Sequence, residues 1–298
     1  MKVQITGATG FVGQNLVDYL QNHGFETTFL SLRKEDWETH FDYRATSIIH
    51  LAGKAHDTKN TSEASDYFRI NTELTKELFD IFLQSEAKDF FYFSSVKAVA
   101  DEVKGILDEN AIPNPKSPYG ISKLKAEEYI LSKELPVGKR IFIIRPCMIH
   151  GPGNKGNLNL LFAFAKKGLP YPLASYENKR SFLSIENLCF AVEELLKQDI
   201  PSGIYQFADN ESLSTNEVIA LAGKSLGKKT KMWKISKALI DATAKAGDTL
   251  KLPLNSERLQ KLTENYIVSN DKIVKAIGKP FPVSSREGLL KTFESFRK

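Results

Sequence analysis

The stretch KVQITGATGFVG, residues 2 to 13, restricts what this chain can fold into more than any other. A short β-rich run enters three spaced glycines, Gly7, Gly10 and Gly13, and leaves into the amphipathic run FVGQNLVDYLQNHG. Glycines at such a turn permit a tight reversal and let the backbone come close to a diphosphate. That group then rests on the free N–H groups and the positive dipole end of the helix. At the head of a strand–helix alternation, the motif predicts a dinucleotide-binding turn and a parallel sheet.

The alternation continues. ETTFLSL, SIIHLAG, DFFYFSS and KRIFIIRP read as strands, and FRINTELTKELFDIFLQSE reads as one long amphipathic helix. SPYGISKLKAEEY reads as a helix capped by Ser117, with Pro118 in its first turn. The expected fold class is α/β, a Rossmann-type doubly wound parallel sheet spanning residues 1–147. From residue 148 the pattern loosens into Gly-, Pro- and Asn-rich loops with helices between them, which predicts a smaller C-terminal lobe, 148–298, for substrate. SGIYQFAD, near 203–208, reads as a strand returning to the first sheet.

Composition removes several classes. With 298 residues, 42% hydrophobic and 26% charged, the chain can bury a substantial core and is neither disordered nor fibrous. The net charge of +5 is densest in KGNLNLLFAFAKKG and AGKSLGKKTKMWK, which read as solvated faces without the aromatic interleaving that grips single strands. No nucleic-acid partner is expected. Cys147 and Cys189 are the two cysteines, with no CxxC and no Cys/His cluster, so neither a disulfide framework nor a metal site is expected. No apolar run approaches a membrane span, and the N-terminal strand leaves no room for a signal peptide. No membrane partner and a cytoplasmic location follow as expectations.

Chemistry concentrates at two strand ends and one helix face. After the second strand, FLSLRK has Ser31 where an acid would hold a ribose 2′-hydroxyl, followed by Arg33 and Lys34. A serine and two cations suit a 2′-phosphate, so NADP is preferred to NAD. FYFSSVKAV ends a strand with Ser94 and Ser95, whose hydroxyls can face a ligand crevice. Tyr119 and Lys123, four residues apart, share a helix face, and Tyr119 follows Ser95 by 24 residues (119 minus 95). A free phenol titrates near ~10, and bringing it to neutrality takes about 4 kcal/mol of differential stabilisation of the phenolate. A nearby ammonium has the right sign to contribute.

In this order, TGATGFVG, IIHLAGKAHD, FRINTELT, YFSSVKAV, SPYGISKLKAEE, IIRPCMIHGPGNKGN and RSFLSIENL make the chain similar to the extended short-chain dehydrogenase/reductase family, the NAD-dependent epimerases and dehydratases of nucleotide sugars. The resemblance implies that Tyr119 is the acid/base, that Lys123 lowers its pKa and holds the cofactor ribose, and that Ser95 bonds the reacting oxygen. It further implies cofactor contacts from Gly7, Thr9, Gly10, Phe11, Val12 and Gly13 in the turn. Ser31 and Arg33, then Leu51, Ala52 and Gly53, then Asn71 and Pro146, complete that set. Substrate contacts fall to Lys54, Lys97, Asn157 and Arg180, the last suited to a diphosphate by its planar fork. His50, His56 and His150 read as structural or surface groups.

Two departures narrow the activity. Val96 and Lys97 follow Ser95 where the family's dehydratases carry an acidic pair, so dehydration is disfavoured. Only EDWETHFDYRAT separates FLSLRK from SIIHLAG, where the family usually has a further strand and helix. The resemblance therefore implies oxidoreduction at C4 of a nucleotide-activated hexose, a UDP-sugar. A 4-keto-sugar reductase acting on a UDP-N-acetyl-hexosamine derivative leads; a 4-epimerase holding NAD and a non-catalytic NADP-binding sensor are the rivals. The helices near 66–86 and 118–134 resemble those that pair two subunits, which implies a homodimer.

Overall fold

The computed structural model describes residues 1–54, 63–154, 156–250 and 255–297. In chain order the strands are β1 (Lys2–Thr6), β2 (Glu26–Leu30), β3 (Ser47–His50), β4 (Asp89–Phe93) and β5 (Ile106–Leu107). Then come β6 (Arg140–Pro146), β7 (Met148–His150), β8 (Phe182–Ser184), β9 (Gly203–Phe207) and β10 (Ile267–Val268). The helices of the first half are α1 (Phe11–Asn22), α2 (Ala64–Phe68), α3 (Leu74–Gln84) and α4 (Pro118–Ser132). The second half adds α5 (Asn157–Lys166), α6 (Ile185–Lys197), α7 (Thr215–Ser225), α8 (Lys237–Leu250), α9 (Ser256–Thr263), α10 (Asp271–Ile277) and α11 (Ser285–Ser295).

Six strands form one parallel sheet in the order β2-β1-β3-β4-β6-β9. The α/β doubly wound architecture expected from the alternation is present. From β1 the chain goes first to one side and then to the other, so the crossovers diverge between β1 and β3. A crevice at the carboxyl ends of those two strands is the natural ligand site of such a sheet. Among the described residues no further strand lies beyond β2, consistent with the short connection: a 3₁₀ turn, Trp37–His40, takes its place. Trp37 and Phe41 close the core there, while Phe29 on the edge strand β2 is 56% exposed.

Both faces of the sheet are covered. Leu16 and Leu20 of α1 pack with α6 against Val3, Ile5, Phe91 and Phe207. On the other face Phe79 and Phe82 of α3 and Ala126 and Ile130 of α4 pack on Ile48, Phe90 and Ile143. Strand β9 belongs to this sheet although it follows β7, β8 and α6 in the chain. The remaining C-terminal helices build two smaller cores. One gathers Phe162, Val218 and Phe293; the other gathers Tyr171, Leu173, Ile240 and Leu259. Pairing of β5 with β10 ties the loop after β4 to this C-terminal part.

One element differs from the periodicity. The single long helix expected near residues 68–86 is broken by a π-helical turn, Arg69–Glu73, between α2 and α3. The extra residue is used locally. Asn71 turns fully inward, accepting from the Lys54 N–H at 2.7 Å and donating to the Lys54 carbonyl and to Ser122 Oγ, both at 3.1 Å. The α-helices on either side of the π-turn are short, five and eleven residues, so the phase shift of about 100° that one extra residue introduces is not resolved by a search for amphipathic periodicity.

His50 is a structural histidine. Its ring lies between Thr6 Oγ1 at 2.7 Å and Thr75 Oγ1 at 2.9 Å, fully buried. Burial, with the Lys123 charge adding to it, lowers its pKa to about 3 from 6.5. Between those values the unfolded chain binds a proton that the folded chain does not, so this stability is complete above 6.5 and is lost as pH falls towards 3. Relative to wild type, His50→Asn should flatten the acid limb of the stability curve by up to about 1.4 kcal/mol per pH unit. Urea unfolding at a series of pH values measures it; parallel curves for the two proteins would contradict the assignment.

Candidate active site

The glycines of the first turn have different jobs. Gly7 has φ +70°, and a Cβ on it would lie 2.7 Å from the Ala52 nitrogen, so the turn packs hard against the end of β3. A Cβ on Gly13 would lie 2.3 Å from the Gly7 carbonyl oxygen, which presses α1 onto the same turn. Gly10, the N-cap of α1, meets only the Gly7 oxygen at 3.3 Å, and its open side lines the cleft. Two glycines therefore build the turn and the third leaves room for a ligand's phosphates at a twelve-residue helix's N-terminus.

The cleft has a volume of about 1010 Å³. Gly7, Thr9 and Gly10 line one wall; Ser31 and Arg33, with Lys34, line the end beyond β2; Leu51, Ala52, Gly53 and Lys54 line the wall after β3. Phe11 and Val12 stand apart from this lining, with their side chains packed on the core behind the turn. Sequence reasoning missed Phe29, Glu35, Trp37, Arg69 and Glu77, which also line the cleft. Arg69 is on the π-turn, and no local pattern aims it there.

Gly53 joins this cleft to the next group of residues. A Cβ on Gly53 would meet Asn71 Oδ1 at 3.0 Å and Lys123 Nζ at 3.2 Å, so the lysine and the amide converge on it. Lys123 is buried, donates to the Phe93 carbonyl at 2.8 Å and lies over the Tyr92 ring at 4.9 Å. Burial lowers its pKa to about 8, with Glu127 opposing.

The helix that carries Tyr119 starts as its sequence indicates. Ser117 Oγ accepts from the Gly120 N–H at 3.2 Å, and Pro118 occupies the first turn. Asp101 accepts from the Lys116 and Ser117 N–H groups and from Ser117 Oγ, fixing where the helix begins. Gly120 is a further determinant that the motif alone does not explain. A Cβ there would come 2.3 Å from the Lys97 carbonyl oxygen, so α4 lies directly on the turn that follows β4. That contact brings Tyr119 close enough to Ser95 for the serine hydroxyl to act on the phenol. Ser95 also accepts from the Lys97 N–H at 3.2 Å, which fixes its rotamer. Burial raises the Tyr119 phenol above its ordinary value, Ser95 lowers it, and the nearby Tyr67 raises it.

Behind this centre lies a buried ion pair that sequence reasoning also missed. Glu127, one turn beyond Lys123, binds Arg145 through Oε2 to Nη2 at 2.5 Å and Oε1 to Nε at 3.0 Å. Ser94 donates to the same carboxylate. The relative positions of three elements, β4, α4 and β6, are thereby set within one network. The i+4 spacing of Lys123 and Glu127 was available as a signal, but only the sheet register identifies Arg145 as the partner.

The remaining predicted contacts divide. Lys97 donates to the Asp101 carbonyl at 2.7 Å and lies over the Tyr266 ring at 4.3 Å; burial lowers its pKa. Arg180 is near it, and its guanidinium already binds the Lys261 carbonyl and Glu264, the latter at 3.6 Å. Lys54 turns its ammonium onto Asp66 at 2.6 Å. Pro146 is buried at the end of β6, opposite Phe207. Asn157 begins α5, and its side chain lies outside the described residues, as does His56.

The sheet, the glycine turn and the cleft at the divergence of β1 and β3 define a dinucleotide-binding α/β enzyme class. A family model described as the NAD dependent epimerase/dehydratase family matches residues 3–208, and the chain belongs to that family. It is 29% identical over 260 residues to the UDP-glucose 4-epimerase of Vibrio cholerae, covering 76% of each chain. It is 25% identical over 235 residues to the GDP-6-deoxy-D-mannose reductase of Pseudomonas aeruginosa, covering 73% of this chain and 77% of that one. In fold it resembles the UDP-N-acetylglucosamine 4-epimerase from Bacillus cereus, with a TM-score of 0.79, 21% identity and full coverage of both chains. Among the described residues, no helix is long and apolar enough to cross a membrane, and no group of His, Cys, Asp or Glu forms a metal site.

Proposed function

We propose that this protein is an NADP-preferring 4-keto-reductase of a UDP-N-acetyl-hexosamine derivative. The observation that carries the C4 chemistry is the proximity of Tyr119 and Ser95, with Lys123 one turn further along the same helix and its ammonium converging with Asn71 on Gly53 of the cleft wall. A reduced nicotinamide held by Gly7, Thr9 and Gly10 of this cleft would supply the hydride to C4. The Tyr119 hydroxyl donates its proton to the C4 oxygen as that oxygen gains charge, and Ser95 holds the same oxygen by a hydrogen bond. Lys123 holds the ribose hydroxyls and offsets the phenolate left on Tyr119, which solvent reprotonates. Arg180 and Lys97, both beyond the sheet's carboxyl edge, serve the substrate diphosphate, with Asn157 and Lys54 at the substrate side.

Ser31, Arg33 and Lys34 on the cleft wall favour a 2′-phosphate: Glu35 lines the same cleft, but position 31, where an acid would hold the ribose 2′-hydroxyl, is a serine. A 4-epimerase that retains NAD is the second reading, favoured by the epimerases among the relatives. The hydroxyl pair argues against a silent sensor. Homodimerisation through α3 and α4 and a cytoplasmic location complete the reading.

One experiment separates the two activities. The purified protein is given 4-keto and 4-hydroxy UDP-sugars with NADPH or NADH, and product and cofactor oxidation are counted together. A reductase consumes one NADPH per alcohol formed, and Ser31→Asp should reverse the preference between NADPH and NADH. Interconversion of 4-hydroxy epimers with no net cofactor consumption, on NAD that survives purification, would sink the reductase reading and install the epimerase.

A further inference from the structure

Six lysines lie between Glu217 and Asp241 with no acidic residue among them. Lys166 and Lys167 lie in a second stretch, from 135 to 176, that also has no acid. The fold unites the two segments. The Tyr171 N–H donates to the Lys231 carbonyl at 2.8 Å, the Trp233 N–H donates to the Tyr171 carbonyl at 2.8 Å, and Lys228 Nζ reaches the Lys166 carbonyl at 3.4 Å. Eight lysines thus share one region of surface, and their charge exceeds the +5 of the whole chain, so the remainder is net acidic. None of the eight forms an ion pair among the described residues.

Apolar side chains protrude among these charges. Trp233 is 56% exposed, Leu239 60% and Leu169 48%. The chain's other tryptophan, Trp37, is 4% exposed in the core. A catalytic domain that only has to stay dissolved gains nothing from a tryptophan and leucines set in a field of unpaired lysines.

We propose that this face docks on an anionic lipid bilayer, with the lysines over the headgroups and Trp233, Leu169 and Leu239 inserted at the boundary with the acyl chains. Lysine ammonium groups gain from the negative surface potential, and the aromatic ring and leucines gain from leaving water at the interface. A second copy of the chain does not fit, because two such faces repel each other. A nucleic acid is less well matched, because a single exposed ring offers no platform for successive bases. The contact is peripheral, so it needs no spanning helix, and it does not rest on the reductase reading.

The test uses the full-length protein and sedimented vesicles of seven parts phosphatidylethanolamine to three parts phosphatidylglycerol, with phosphatidylcholine vesicles as control. Wild type should bind the anionic vesicles, leave them as salt rises, and shift its tryptophan emission to the blue. Because Trp37 is already in the core, that shift reports Trp233. The Lys228→Gln, Lys229→Gln, Lys231→Gln, Lys234→Gln variant should lose roughly two to three decades of binding, at about five-fold per lysine. Trp233→Ala should keep the salt dependence and lose about a decade. All five side chains are exposed, and unchanged circular dichroism confirms that each variant folds. Failure to sediment with the anionic vesicles, equal binding by the lysine variant, or binding without the emission shift each overturns the proposal. In the last case the face is a general polyanion site.

Discussion

Tyr119→Phe should fold, bind cofactor as wild type does, and turn over about two to four decades more slowly, the usual worth of a positioned general acid. The geometry explains why the loss falls on turnover. The ring's place is set by α4 lying on the turn after β4 and by its edge-on contact with Tyr67 at 6.1 Å, neither of which involves the hydroxyl. What disappears is the proton and the hydroxyl's interaction with Ser95. Cofactor titration by fluorescence together with single-turnover kinetics separates the two effects. Turnover within a few-fold of wild type would remove Tyr119 from the chemistry. A large fall in cofactor affinity would instead make it a binding residue.

The second large effect is on stability. Glu127→Ala should destabilise the protein by about 3–5 kcal/mol, because it leaves Arg145 charged in the core without its partner. The side chains of Glu127 and Arg145 are 1% and 3% exposed, so water cannot replace the lost carboxylate. Ser94 would lose its acceptor at the same time. The double variant Glu127→Met, Arg145→Met should recover most of that loss, since buried ion pairs exchanged whole for apolar groups are often near neutral. Equilibrium unfolding in urea measures both. If the single variant is as stable as wild type, the pair is not a structural requirement; if the double variant is worse than the single, the cost lies in packing rather than charge.

Some of this protein is written in short stretches of its sequence. The turn at Gly7 to Gly13, the start of α4 at Ser117 and Pro118, and the parallel alternation depend on glycine sterics, capping and the difference between periods of two and 3.6 residues. Those are local properties, and a reader of the chain can derive them. The shortened connection before β3 was legible for the same reason: residues 35 to 46 are too few for another strand and helix.

Other features required the folded sheet. Ser95 and Tyr119 could be nominated separately, but they are neighbours because Gly120 lets α4 approach the Lys97 carbonyl. Lys123 could be paired on paper with Tyr119, yet its ammonium is held by the Phe93 carbonyl and the Tyr92 ring. The π-turn at Asn71, the partnership of Glu127 with Arg145 and the union of two basic segments are likewise invisible along the chain. Each depends on strand register, on the direction a side chain takes from its element, or on contact between residues tens of positions apart, and hydrophobic periodicity carries none of these.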